Sequence, residues 1–365
     1  MTGHGTYAGP SDAGTTLPLT PMRAPLDVVD VALDLMRIDS TSGREGEIVA
    51  FVERLLVDRG WRVQRIPVSA GRDDILAVSS NTPLVTLSTH LDTVPPYIAP
   101  SRTETVLRGR GASDTKGLAA AMICAAERLR DAGADVALLF VVGEETTHDG
   151  AHAANDAHRR GVVPTTSRAL INGEPTESTL AVGTKGAVRM TLRTKGRAAH
   201  SAYPHLGDSA TLRLARLLAD VDELDLPRDA ILGDTTINIG MLAGGVADNV
   251  IAPSAEARIM ARLVGPVADV VDIVRRWAGD RAEVEEGSSV PPIRLATVPG
   301  LPTSVVAFAT DIPFLSRWGQ PYLFGPGSIH VAHSDHEFID IAELRRAVDA
   351  YELIAQSIIG SVRTP

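Results

Sequence analysis

Five separated stretches of this 365-residue chain concentrate side chains that can hold a cation or move a proton. In Ser88-Thr89-His90-Leu91-Asp92-Thr93-Val94-Pro95, His90 and Asp92 fall on the same side of an extended chain. The carboxylate could then accept the second ring N–H and set the tautomer of a ligating imidazole; a satisfied surface turn is the plain alternative. Gly109-Arg110-Gly111-Ala112-Ser113-Asp114-Thr115-Lys116-Gly117 lacks the spacing of a phosphate loop, which leaves Asp114 as its useful residue, either a ligand or a helix N-cap. Gly143-Glu144-Glu145-Thr146 ends the most apolar run of the chain. Two adjacent carboxylates are costly there unless a cation compensates them or the loop is solvated. With a cation, one can bind while the other transfers protons. Glu174 follows another short apolar run, and His330, His333 and His336 supply imidazole near the end of the chain. His148 and His152 form an i, i+4 pair that the other candidates leave without a task.

Every donor in this set is oxygen or nitrogen. The single cysteine, Cys124, permits neither an internal disulfide nor a thiolate cage, and its apolar neighbours Met122, Ile123 and Ala125 mark it as core.

No one stretch decides the chemistry, but their order does. His90-x-Asp92, Asp114, Glu144-Glu145, Glu174 and His333 together resemble the ligand series of the M20 metallopeptidase and amidohydrolase family, over roughly residues 25–361. The resemblance implies two divalent ions, zinc first and cobalt or manganese as alternatives. It makes His90 and Glu174 ligands of one ion, Glu145 and His333 ligands of the other, and Asp114 the bridge between them. It further implies Glu144 as general base and Asp92 as the residue behind His90. In Gly196-Arg197-Ala198-Ala199-His200-Ser201-Ala202-Tyr203-Pro204, His200 matches a histidine that reaches into the partner subunit's site, which implies a homodimer through an inserted lid. Asn249 and Arg262 match positions that engage a substrate carboxylate, and Gly327 and Ser328 belong to a run similar to the acetylornithine deacetylase branch. The implied reaction is hydrolysis of an N-acyl amino acid or short peptide, with N-acetyl-L-ornithine first, N-acetyl or N-succinyl amino acids next and dipeptides third; a non-catalytic metal-binding or regulatory protein on the same fold is the alternative of another class. Two departures stand out: Val305 to Asp311 replaces a Gly-Gly-Thr-Ser-Asp type stretch, and Ser113 occupies a position often held by Cys or Met.

The elements that must position these residues follow from hydrophobic periodicity. Val28, Val29, Ala32, Leu33 and Met36, then Ile48, Phe51, Val52, Leu55 and Leu56, predict two opening helices. Strands are predicted at 61–66, 75–78, 84–88 and 136–142, with a helix over 117–130. This alternation implies an α/β layer with a mostly parallel central sheet. From about residue 183 the order β-α-β-β-α (188–194, 208–221, 235–241, 256–263, 267–277) predicts a small α+β, ferredoxin-like unit with an antiparallel sheet. A strand at 321–324 and a helix over 342–358 return to the first pattern. The expected organisation is a leader over 1–21, a catalytic unit in two pieces (22–182 and 290–365) and a lid over 183–289.

Composition sets the outer bounds. Forty-four per cent hydrophobic and 22% charged residues describe a chain that buries a real core. Forty-five acidic against 35 basic residues leave no basic stripe for a phosphate backbone, so nucleic acid is not expected as a partner. No apolar run approaches the ~20 residues of a membrane helix, and the first twenty residues lack the basic and apolar regions of a signal peptide. A cytoplasmic location is expected.

Overall fold

The computed structural model describes residues 24–163 and 166–363; the expected leader lies outside them. A six-stranded sheet forms the main layer, in the order Arg62–Ser69, Arg72–Val78, Val136–Val141, Val85–His90, Ala169–Asn172 and Gln320–Leu323. The last four strands run parallel, while the first two form an antiparallel hairpin along one edge.

Both faces of this sheet are buried, which is why Val136–Val141 is a continuous apolar run rather than an alternating one. Val136, Leu138 and Phe140 point into the larger core, with Met36, Val52, Met122, Leu129 and Tyr351. Ala137, Leu139 and Val141 point the other way, toward Ala151, Ala154, Leu315 and Trp318. The helices Val28–Met36, Lys116–Asp131 and Ile341–Arg363 pack on the first face. Lys116–Asp131 is alanine-rich and buried along almost its whole length, so its backbone can approach sheet and neighbouring helix closely. The helix Asp149–Arg159 covers the second face. Hydrophobic periodicity did not reveal this helix, because its buried face is made of Gly150, Ala151, Ala154 and Ala157.

A separate four-stranded antiparallel sheet has the order Thr236–Gly244, Ser254–Leu263, Gly186–Lys195, Glu283–Val290. The helices Ala210–Ala219 and Val267–Ala278 bury Val188, Met190, Leu192, Ala257, Ile259 and Ala261 on one face of it. The result is β-α-β-β-α-β. The closing strand Glu283–Val290, Glu-Val-Glu-Glu-Gly-Ser-Ser-Val, was absent from the sequence expectation because it is a charged, largely exposed edge. Among the described residues no helix is long and apolar enough to cross a membrane.

Candidate metal centre

Parallel strands in neighbouring positions end at the same edge of their sheet, and their loops meet there. His90 is the last residue of Val85–His90 and is paired with Val141; Glu144 and Glu145 come three and four residues beyond that Val, and Glu174 two beyond Asn172. Asp114 precedes the helix Lys116–Asp131. Its carboxylate does not cap that helix: Thr115 is the N-cap residue, and its hydroxyl donates to the His90 carbonyl at 2.7 Å rather than capping.

The Asp114 carboxylate instead lies between two imidazoles. Oδ1 is 3.1 Å from His90 Nε2, and Oδ2 is 3.2 Å from His333 Nε2. His333 Nε2 is also 3.0 Å from Glu145 Oε2. His90, Asp114 and Glu145 each offer a ligand atom within 4.8 Å of the others. Ligands about 2.1 Å from a tetrahedral zinc lie about 3.4 Å from one another, so the spacing already approximates a coordination shell. Glu174 is 4% exposed, and its carboxylate has no hydrogen bond or ion pair among the described residues. A buried carboxylate without a partner is costly, and a cation would satisfy it. The donor set fits hard or borderline divalent ions.

The electrostatics tell the same story. Burial pushes the Glu174 carboxyl well above its usual range, with His90 opposing. Burial does the same to Glu144, reinforced by the charge of Glu174. For Asp114 burial also acts upward, but the bonds to His333 and His90 prevail and hold it below the usual carboxylate range. His333 is pushed up to about 10 by Asp114 and Glu145. His90 is held high because Asp114 and Asp92 outweigh the cost of burying its charge. Protons shared this way occupy the lone pairs that a metal ion would displace them from.

Asp92 has more to do than its spacing from His90 suggests. His90 Nδ1 meets the Asp92 backbone carbonyl at 2.9 Å and the carboxylate only at 3.5 Å. The fully buried carboxylate accepts from the Glu144 N–H at 3.1 Å, the Glu145 N–H at 3.2 Å and the Ser42 hydroxyl at 2.7 Å. It therefore ties the paired-glutamate loop to the loop after His90.

Glu337 fastens the Asp114 turn in a similar way. Its Oε1 accepts from the Ser113 and Asp114 N–H groups, both at 3.0 Å, and its Oε2 meets Arg110 Nη1 at 2.8 Å, with both side chains almost completely buried. Ser113, where the resemblance departs, donates its hydroxyl to Phe338 O at 2.8 Å.

A cavity of about 220 Å³ opens onto the cluster, lined by Asp114, Glu144, Glu145, Glu174 and His333 on one wall and by Ala187, Arg189, Met260 and Arg262 of the small sheet on another. His148 also lines it. The His148 Nδ1 lies 2.9 Å from the buried Asp311 carboxylate and 3.9 Å from Glu144 Oε1, and its ring packs on Phe314. Asp311 sits in the departing stretch 305–311, and the two residues are 163 positions apart, so no local motif links them. His152 faces Phe314 as well and lies outside the cavity lining.

The other expected residues fall away from the cluster. His200 is exposed in the loop after Gly186–Lys195, bridged to Val250, its Nδ1 accepting from the Ala202 N–H, and Asn249 is exposed beside it, its backbone carbonyl accepting from the Ser201 N–H. Neither lines the cavity. Gly327 is buried with φ +81°, and a Cβ there would meet Ser113 Oγ at 2.4 Å, so it serves close packing behind the Asp114 turn. Ser328 donates to Glu177 Oε1 at 2.8 Å. Cys124 is core, and burial pushes its thiol up to about 12.

A model of peptidase family M20/M25/M40 matches residues 86–357. The chain belongs to that family. This M20 peptidase is 37% identical over 377 aligned positions to a probable carboxypeptidase of Aspergillus fumigatus, covering 89% of this chain and 85% of that one. Its fold is that of a tripeptidase from Staphylococcus aureus (TM-score 0.75, 20% identity, 91% and 98% of the two chains) and of a dinuclear metal-binding peptidase of the M20 family from Bacillus subtilis (TM-score 0.67, 15% identity, 91% and 97%). The M20 peptidase is thus a metallopeptidase-type hydrolase acting on amide bonds.

Proposed function

We propose that this peptidase cleaves an amide whose amine product carries a free α-carboxylate: the C-terminal bond of a short peptide, or the acyl bond of an N-acyl amino acid. The observation that carries this reading is the cavity itself, in which Asp114, Glu145 and His333 of the cluster share the lining with Arg262, a half-buried guanidinium with no ion pair among the described residues. Arg262 would hold the carboxylate and aim the scissile carbonyl at the cluster. Two divalent ions, zinc first and cobalt or manganese otherwise, would be held by His90, Asp114, Glu145, Glu174 and His333; when bound they supply Lewis acidity and a more acidic water. The chain's own part in the chemistry is proton transfer. Burial by itself favours the protonated form of Glu144, and the charge of the bound ions would return it to the carboxylate, which takes the proton of the attacking water and returns it to the leaving amine. Asp92 holds the backbone of Glu144 and Glu145 during both transfers.

The proposed architecture is a catalytic unit over 22–182 and 290–365 and a lid over 183–289 that pairs with a second copy, placing the partner's lid histidine, the counterpart of His200, over the scissile carbonyl. The lid's exposed edge strand Thr236–Gly244, with Met241 57%, Leu242 60% and nearby Val246 70% exposed, supports such a pairing. The carboxypeptidase name of the Aspergillus relative favours peptides over N-acetyl-L-ornithine as the first substrate to try. The test is release of free amine from dipeptides, N-acetyl amino acids including N-acetyl-L-ornithine, and N-succinyl-diaminopimelate, with zinc, cobalt, manganese or EDTA. Turnover that EDTA abolishes, and that Glu144→Gln lowers about 10³-fold with metal content unchanged, is expected. No amine from any member would sink the proposal, and near-normal turnover of Glu144→Gln would remove it as the base.

A further inference from the structure

The wall of the cavity opposite the metal cluster carries two guanidinium groups. Arg189 lies on Gly186–Lys195 and Arg262 on Ser254–Leu263; the register pairs Arg189 with Met260 and Ala187 with Arg262, so the arginines are diagonal neighbours across the antiparallel pair. The period of two puts both on the face away from the two helices, since the alternate residues Val188, Met190, Ala261 and Leu263 are the ones in the helix-side core. Both side chains line the cavity.

Neither is neutralised by the chain. Among the described residues Arg262 makes no hydrogen bond or ion pair, and Arg189 makes only one bond, to the Ser288 hydroxyl at 3.1 Å. The four carboxylates of the cavity belong to the facing wall. Two like charges side by side, one of them half buried, disfavour each other; burial and the charge of Arg189 both act against the charged state of Arg262. One bound carboxylate would relieve one guanidinium and leave the other.

We infer that the pair selects an amine product with two carboxylates, so that the substrate ends in aspartate or glutamate: Arg262 takes the α-carboxylate and Arg189 the side-chain carboxylate. This rests on the hydrolase reading proposed above and narrows it. The adjacency of the arginines decides where the second acid sits. A carboxylate on the acyl half, as in a succinyl group, lies across the scissile bond from Arg262, whereas the side chain of a C-terminal acidic residue branches beside the α-carboxylate. The bidentate fork of each guanidinium matches a carboxylate and not an amide.

The experiment compares Gly-Glu with its isostere Gly-Gln on the metal-loaded protein. The wild type should prefer Gly-Glu at least tenfold in kcat/KM, mainly through KM. Arg189→Gln should bring that ratio to within about twofold of unity, and Arg189→Glu should turn the preference toward Gly-Lys. A wild-type ratio near one, an equal loss on both dipeptides in Arg189→Gln, or an unchanged preference in Arg189→Glu overturns the inference. If no amide at all is cleaved, the hydrolase reading fails on its own; calorimetry with free glutamate and glutamine then still tests the pair, and equal affinities would refute it.

Discussion

Replacing Asp92 by Asn changes almost no volume and removes one charge, so its consequences can be worked out from the hydrogen bonds. The carboxylate accepts from the Glu144 N–H through Oδ1 and from the Glu145 N–H and Ser42 hydroxyl through Oδ2. An amide has one oxygen. With its NH₂ at the Oδ1 position it opposes the Glu144 N–H; flipped, it opposes the Glu145 N–H, while Ser42 can rotate to accept. Either way one buried backbone donor is orphaned, costing about 1–3 kcal/mol, and the surviving bonds lose their charge assistance. A total of about 3 kcal/mol is expected, which lowers the unfolding midpoint by roughly 4 °C in a chain of this size. If the loop shifts to relieve the clash, Glu144 is displaced; about 3 kcal/mol appearing in the transition state is on the order of a hundredfold in kcat. The assays are thermal unfolding, metal content and steady-state kinetics on whichever panel substrate turns over. Because His90 Nδ1 contacts the Asp92 backbone carbonyl more closely than its carboxylate, metal content should fall less than turnover. An unfolding midpoint within 1 °C of wild type together with a kcat loss under threefold would refute the role given to this carboxylate.

Two further perturbations probe the frame around the site. Arg110→Met leaves the Glu337 carboxylate buried without its cation and should cost about 3–5 kcal/mol, whereas Arg110→Met with Glu337→Gln should recover much of that; unfolding of the single variant indistinguishable from wild type would show that the pair is not a clamp. Asp74 is fully buried, with one oxygen accepting from the Val142 N–H and the other unpartnered, and burial holds its carboxyl well above the usual range. The folded state therefore keeps a proton that the unfolded chain releases near pH ~4; the stability this group contributes is full below that pH and is lost as pH rises toward the folded value. Asp74→Asn, which mimics the protonated form, should gain on wild type steadily between pH 4 and pH 7 in unfolding midpoint. Parallel curves would mean that Asp74 is ionised in the fold.

The donor types, their order along the chain and the α/β alternation were legible in the sequence because each belongs to a local pattern. An apolar run followed by Gly-Glu-Glu, or by His-x-Asp, marks the end of a buried strand, and parallel strands bring such ends together. The helix Asp149–Arg159 and the edge strand Glu283–Val290 were not legible, since alanines and charged residues carry little periodic signal. What the linear order alone offered is an inventory of oxygen and nitrogen donors, in a sequence that resembles a family of metal-dependent hydrolases. The tertiary structure decided which partners hold those groups in place: Asp92 on the Glu144-Glu145 backbone, Glu337 on the Asp114 turn 223 residues away, Asp311 on His148, and Arg189 beside Arg262. Such contacts depend on how strands register and which loops meet across the sheet edge, and side-chain hydrogen bonds between distant residues leave no period in the chain that makes them.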